Sequence, residues 1–131
     1  MEYLKSTVMV IEGDEGYRAM DRQVIAEELK AKYREAVSPP QALAYLRKHA
    51  LPDLIILNTH LPEVDGLTAV NMLKRTPYLS TIRLIVTSHV SDEAVVTLFA
   101  EHDIEEYLLK PFDAATLKEK VERHLSAPRK A

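Results

Sequence analysis

The chain has 131 residues, enough for one compact domain around a single core. Its 47% hydrophobic and 28% charged composition excludes a disordered polar chain, and a formal net charge of −3 leaves no electrostatic footprint for nucleic acid or an anionic membrane. The absence of Cys removes disulfides, thiol catalysis and thiolate metal sites together, and suits a cytoplasmic protein.

Five β-rich runs alternate with helical stretches. Thr7–Ile11 is the first, closed by the turn-prone Glu12-Gly13-Asp14. Tyr17, Met20, Val24 and Leu29 then recur at helical spacing, with Arg18, Asp21, Arg22, Glu27 and Lys30 assigned to the outer positions. Residues 33–37 form a weaker run, read as an outer strand. A helix over about 40–49 follows, opened by Pro and capped by Ser38. Leu54–Leu57 is a strong apolar run. The third helix, about 67–74, must end before Pro77. Residues 82–87 are another strong strand, and Ser91-Asp92-Glu93-Ala94 reads as the cap of a fourth helix whose apolar side is Val95, Leu98 and Phe99. Residues 106–109 close the strand series, and a fifth helix starts at Asp113 with Leu117, Val121 and Leu125 four apart.

Strands 1, 3 and 4 are nearly continuous apolar runs, the pattern of strands covered by helices on both faces of a parallel sheet. Strand–helix alternation repeated five times implies right-handed crossovers and a doubly wound α/β fold with a five-stranded parallel sheet. The core is expected over about 7–125, with 126–131 a frayed tail or a linker. No apolar run reaches the roughly 18 residues a membrane span needs, and the first residues carry no signal-peptide pattern. In such sheets ligands gather at the carboxyl ends of the strands. That rule selects Glu12-Gly13-Asp14, Asn58 with its loop, Thr87-Ser88-His89 and Lys110-Pro111.

Those places carry a resemblance to the response-regulator receiver domains of two-component signalling, of the chemotaxis-regulator type and flavodoxin-like fold. The matching pieces are Val8–Ile11 before an acidic turn, Asp53–Leu57 before position 58, and Leu61-Pro62-x-x-Asp65-Gly66. Leu84–Ser88 and Tyr107-Leu108-Leu109-Lys110-Pro111-Phe112 complete them, so that the likeness runs from about Thr7 to Leu125. The resemblance implies an acceptor Asp where this chain has Asn58, and two acids after the first strand that hold Mg²⁺ with a loop carbonyl, here that of His60. It implies that Thr87 and Lys110 contact phosphoryl oxygens, that Thr87 and Tyr107 form a switch pair, and that the Lys110–Pro111 peptide is cis. It also implies that partners or a second copy bind the face of the fourth helix, fifth strand and fifth helix, here Val95, Val96, Leu98, Glu106, Tyr107 and Lys118.

The chain departs from that pattern twice. Asn58 has nearly the shape of Asp but a weakly nucleophilic amide oxygen. Gly13 replaces the acid that more directly ligates metal, leaving Glu12 at the first acid position and Asp14 one residue late. Two carboxylates about 4 Å apart repel by roughly 4 kcal/mol at an effective dielectric near 20, so an intact acidic pocket needs a divalent cation or a Lys ammonium. With Glu12 alone, Lys110 can balance the charge, and Mg²⁺ binding is expected to be weak or absent. An amide can also donate, so Asn58 is expected to bond Glu12 or a loop carbonyl.

The leading expectation is therefore a pseudo-receiver: a phosphorylation-independent, non-enzymatic interaction module serving a signalling protein or its own output domain. The alternatives are a receiver that still handles metal or phosphate through Glu12, Asp14 or Asp65, and an engineered phospho-dead variant of an active regulator. A nucleotide-binding domain is disfavoured because no Gly-rich loop follows the first strand and the chain has only three Gly. Blander expectations stand beside these. Asp65-Gly66 is a turn in which Gly supplies a positive φ. His60 and His89 lack metal-site spacing; His49, His102 and His124 lie on the surface; Glu105-Glu106 is a solvated pair.

Overall fold

A computed structural model describes residues 2–128. The strands are β1 (Thr7–Ile11), β2 (Lys32–Ala36), β3 (Leu54–Asn58), β4 (Arg83–Ser88) and β5 (Glu106–Leu109). The helices are α1 (Glu15–Arg22), α2 (Pro39–Leu46), α3 (Gly66–Arg75), α4 (Glu93–Ala100) and α5 (Ala114–Ser126). All four strand pairings are parallel, in the order β2-β1-β3-β4-β5. The doubly wound five-stranded α/β sheet expected from the sequence is present, with β2 at one edge.

The apolar runs conceal a period of two. Met9, Ile11, Ile55, Leu57, Leu84 and Val86 face α2, α3 and α4, while Val8, Val10, Leu54, Ile56 and Ile85 face α1 and α5. Both sides of every central strand are buried, and this is why alternation is invisible in them. Tyr3 joins the α1–α5 side, with its N–H on the Leu29 carbonyl, so packing begins ahead of the expected start at residue 7.

Side-chain caps start five helices: Asp14, Ser38, Asp65, Asp92 and Asp113 each accept a backbone N–H from the first turn. The fourth cap is thus Asp92, not Ser91, because its longer carboxylate reaches the amides of both Ala94 and Val95. α1 runs on into a π-helical segment, Gln23–Glu28. The interval of five between Val24 and Leu29 is what such a turn places on one face, and the Leu29 N–H bonds the Val24 carbonyl. α2 stops at Leu46, earlier than expected, and His49 stacks on Tyr45 at 3.9 Å beyond its end.

Asp21 corrects the reading of the first helix: it is buried, with 2% exposure, and does not face solvent. Lys118 is likewise turned toward α1, 3.6 Å from Glu28, and does not belong to the α4–β5–α5 face. Arg83 is buried at the start of β4 and donates to the carbonyls of His124, Ala127 and Pro128, pinning the end of α5. Of the expected tail, Ser126 closes α5 and bonds the Tyr3 hydroxyl at 2.8 Å, while residues 129–131 lie outside the described residues.

Gly66 also differs from expectation. Its φ is not positive; the reason for Gly is space, because an added Cβ would lie 2.5 Å from the Thr59 Cα. Asp65 holds the turn instead, accepting from the Thr68 N–H and hydroxyl, both at 2.9 Å. Gly66→Ala must push α3 off the loop that follows β3, at a cost of about 1–3 kcal/mol. Urea unfolding of the two proteins measures it, and an unchanged midpoint would refute the close-approach argument.

Candidate functional site

The carboxyl ends of β1, β3 and β4 and the residue after β5 open onto a cleft of about 870 Å³. Glu12, Asn58, Ser88 and Lys110 line it, with His60 and His89 at its rim. Each is placed by rigid backbone: the Glu12 N–H bonds the Ala36 carbonyl, and the Lys110 N–H bonds the Ser88 carbonyl.

A buried ion pair forms the floor. The Lys110 Nζ lies 2.6 Å from Glu12 Oε1, with side chains 2% and 3% exposed. Asn58 Nδ2 donates to Glu12 Oε2 at 2.9 Å and to the His60 carbonyl at 3.0 Å. The Asp14 backbone N–H adds a third donor to the Glu12 carboxylate, reaching Oε2 at 3.1 Å. The bonds expected of Asn58 and the charge balance expected of Lys110 are both present. On its other side Lys110 meets the Tyr17 ring, 4.0 Å from the centroid. Tyr17 in turn contacts Phe112 and His89, with centroids 5.3 and 6.3 Å away.

The remaining sequence-selected residues are placed less centrally. Gly13 lines the cleft but offers no side chain, and a Cβ built on it meets nothing within 4 Å. The Asp14 carboxylate is turned away to cap α1, 2.8 Å from the Tyr17 N–H. Thr87 is buried opposite Asn58 in the β3–β4 register and is not among the residues lining the cleft. The next residue, Ser88, lines it instead, its hydroxyl accepting from Thr59 at 2.8 Å and from the Val90 N–H at 3.0 Å. Asp65 is committed to capping α3. Among the described residues no group of three His, Cys, Asp or Glu could hold a metal ion.

Beside the cleft, Tyr107 is half-buried against Phe99 and donates to the Val90 carbonyl at 2.7 Å, tying β5 to the loop after β4. Glu106 is not part of a solvated pair: Arg123, His124 and Lys120 converge on its Oε1 at 2.9, 3.3 and 3.6 Å. Burial raises its pKa, but the His124 hydrogen bond and the surrounding cations outweigh burial and hold the carboxyl below its usual value. His124 is consequently mostly buried, with 13% side-chain exposure, and not a surface residue. Glu105 accepts from the Leu84 N–H at 2.8 Å.

Two features had no distinctive sequence signal. Tyr17 looked like an ordinary apolar position of α1, and Asp21 like an ordinary polar one. Asp21 is buried and its Oδ1 has no hydrogen-bond partner among the described residues. Desolvation first, then repulsion from Glu12, pushes its carboxyl from 3.8 up to about 7, with Lys110 opposing.

A doubly wound five-stranded parallel sheet with an acid and a lysine joined at its carboxyl edge fits a signalling receiver. The response regulator receiver domain family matches residues 8–122, and the chain belongs to that family. It is 23% identical over 119 residues to the chemotaxis protein CheY of Bacillus subtilis (strain 168), covering 91% of this chain and 97% of that one. Over 87 residues it is 36% identical to the probable methanogenesis regulatory protein FilR2 of Methanothrix harundinacea (strain 6Ac), covering 62% of this chain and 56% of that one. The chain spans about half the length of some curated relatives it matches, as with FilR2 and the 52% of a probable C4-dicarboxylate response regulator DctR from Priestia megaterium. Among solved structures, a putative response regulator from Chloroflexus aurantiacus J-10-fl superposes with a TM-score of 0.83 at 25% identity, covering 93% and 98% of the two chains. The phosphorylated cyanobacterial phytochrome response regulator RcpA shares the fold, with a TM-score of 0.85 at 22% identity, over 96% and 99% of the two chains. No helix among the described residues is long and apolar enough to cross a membrane.

The raised Asp21 pKa makes a stability prediction. The folded state favours the protonated acid, so its contribution is complete below about pH 4 and is lost as pH rises through about 7. The shift from 3.8 to about 7 corresponds to a loss of about 4 kcal/mol at most. Asp21→Asn, neutral and close in shape, removes that loss. Urea unfolding at pH 4 and pH 8 is expected to show a variant whose advantage over the parent is small at pH 4 and much larger at pH 8. An advantage equal at both values would mean that ionisation of Asp21 is not the cause.

Proposed function

We propose that this receiver signals without phosphorylation at position 58, as a non-enzymatic interaction module whose acceptor site is closed by its own side chains. The observation that carries this reading is the saturation of the Glu12 carboxylate by Lys110, Asn58 and the Asp14 N–H. Phosphoryl transfer to a side chain needs an attacking carboxylate and cations free to neutralise charge on the transferred group. Here position 58 offers an amide, and the one buried lysine of the cleft is held between Glu12 and Tyr17.

The residues present do not fit the Mg²⁺ that receivers use. A hard cation seeks several anionic oxygens, but Glu12 is occupied, Asp14 caps α1 and Gly13 has no side chain. The neutral amide keeps the floor at zero net charge, so nothing there draws a cation in. The module works in the cytoplasm in this reading, and serves a signalling protein, an output domain or a second copy through the α4–β5–α5 face. Leu98 of α4 and Leu109 of β5 are exposed on that face, at 41% and 45%, and Tyr107 links it to the loop at the cleft rim through Val90. With no acyl phosphate, only a partner's differential affinity for two states of that link can shift it.

Incubation with a small phosphodonor and Mg²⁺, followed by intact-mass measurement, tests the proposal. The expected spectrum lacks the gain of about 80 Da that one phosphoryl group brings; a stable adduct would overturn the reading. Asn58→Asp alone is expected to accept phosphate poorly. The double variant Asn58→Asp/Gly13→Asp should do better, since a Cβ at position 13 meets nothing within 4 Å and restores an acid beside Glu12.

The output face makes a separate prediction. Tyr107→Ala is expected to weaken self-association or partner binding by about 1–3 kcal/mol, and Asn58→Ala much less. Sedimentation or calorimetry on both variants decides, and a larger effect at Asn58 would return control of the output to the cleft.

A further inference from the structure

The charge of the chain is distributed unevenly. No Asp or Glu occurs between residues 36 and 52, or between 66 and 91, although the chain as a whole has a net charge of −3. Those two stretches contain α2 and α3, whose ends carry Arg47, Lys48, Lys74 and Arg75. Lys74 lies 3.9 Å from Asp103, but the side chains of Arg47 and Arg75 form no ion pair or hydrogen bond among the described residues. Between them runs a groove of about 540 Å³ floored by Leu43, Met72 and Leu79 and walled by Tyr78, which is 51% exposed. No acid lines this groove, and it shares no lining residue with the cleft around Asn58.

We infer that the α2–α3 groove is a docking site for an acidic amphipathic helix of a partner protein, seated by apolar side chains on Met72 and Tyr78 and by carboxylates on Arg47 and Arg75. The groove lies between two helices, the form that receives a third helix with anchors at i, i+3 and i+7. Methionine adapts its shape to such an anchor, tyrosine adds area at small entropic cost, and arginine grips carboxylates with two parallel bonds. Charge complementarity points to an acidic occupant, because both cations are uncompensated. The apolar floor argues against nucleic acid. A second copy is a poorer occupant: among the described residues the only acidic helix with an exposed Leu is α4, with Glu93 and Leu98, and pairing it with the groove is a head-to-tail contact that propagates without closing.

The inference holds whether or not position 58 accepts a phosphoryl group, so its failure and that of the closed acceptor site are read by different experiments. The probe is a synthetic amphipathic helix of roughly 18 residues, about five turns, with Leu and Phe on one face and Glu beside them. Its twin carries Lys in place of every Glu. Each is titrated into the full chain labelled with ¹⁵N. Binding of the acidic peptide is expected to shift amides around Leu43, Arg47, Met72, Arg75 and Tyr78, and to weaken with salt. Arg47→Glu/Arg75→Glu is expected to reduce affinity at least about tenfold, and Tyr78→Ala also to reduce it. All three positions are exposed, and an unchanged spectrum away from the groove certifies the fold of each variant. No binding, shifts confined to the α4–β5–α5 face, equal binding of the lysine twin, or indifference to the double variant would each overturn the assignment. So would sedimentation showing self-association that Arg47→Glu/Arg75→Glu abolishes, because the occupant would then be a second copy.

Discussion

A buried ammonium at the carboxyl edge of a parallel sheet must find an anion, and the arrangement of this site follows from how Lys110 finds Glu12. An isolated buried charge is costly, and removing one partner of a buried pair leaves the other uncompensated. The pair joins residues 98 apart in sequence at 2.6 Å, across the ends of β1 and the segment after β5. Once Lys110 occupies Oε1, the amide of Asn58 and the N–H of Asp14 fill Oε2. A carboxylate at 58 would stand about 3 Å from Glu12 in place of a donor, with a repulsion of several kcal/mol that one lysine could not cancel for both acids. The amide turns that repulsion into a hydrogen bond without a change of shape.

The same accounting explains Asp21. It lies close enough to Glu12 and Lys110 to feel both charges, yet bonds neither, and the lysine is already neutralised. A second carboxylate there is left with desolvation as its largest influence, and it resolves the conflict by keeping its proton to unusually high pH. Glu106, on the far side of the sheet edge, is the converse: three cations converge on one carboxylate and overcome its partial burial. Two acids on one domain thus move in opposite directions, for reasons of neighbours and not of residue type.

Charge and apolar surface are also divided between faces. The acids that lie near cations are committed within the fold, as Glu35 is to Arg18 and Arg22 and Glu106 is to α5. On the α2–α3 side Lys74 lies near Asp103, while Arg47 and Arg75 have no ion pair among the described residues. The domain thus presents two chemically distinct faces, one built on α4, β5 and α5 and the other on α2 and α3.

The amino-acid sequence by itself determined the order and type of the elements, because apolar runs, helical spacing and capping acids are local signals: β5 and the Asp113 and Ser38 caps stand where those signals put them. Most of the candidate site was legible as well, since Glu12, Asn58 and Lys110 each end or follow a strand and a parallel sheet aligns such ends on one edge. Only the tertiary structure decided which neighbours those residues keep. It buried Asp21 beside the Glu12–Lys110 pair, swung the Tyr17 ring over Lys110, turned Lys118 toward Glu28 and gathered three cations on Glu106. It also gave Gly66 its reason, the Thr59 backbone at a distance no Cβ tolerates, in place of a positive φ. Helical periodicity states which residues share a face, but the partner of that face comes from elements distant in the chain, and charge, burial and steric contact are properties of the pair.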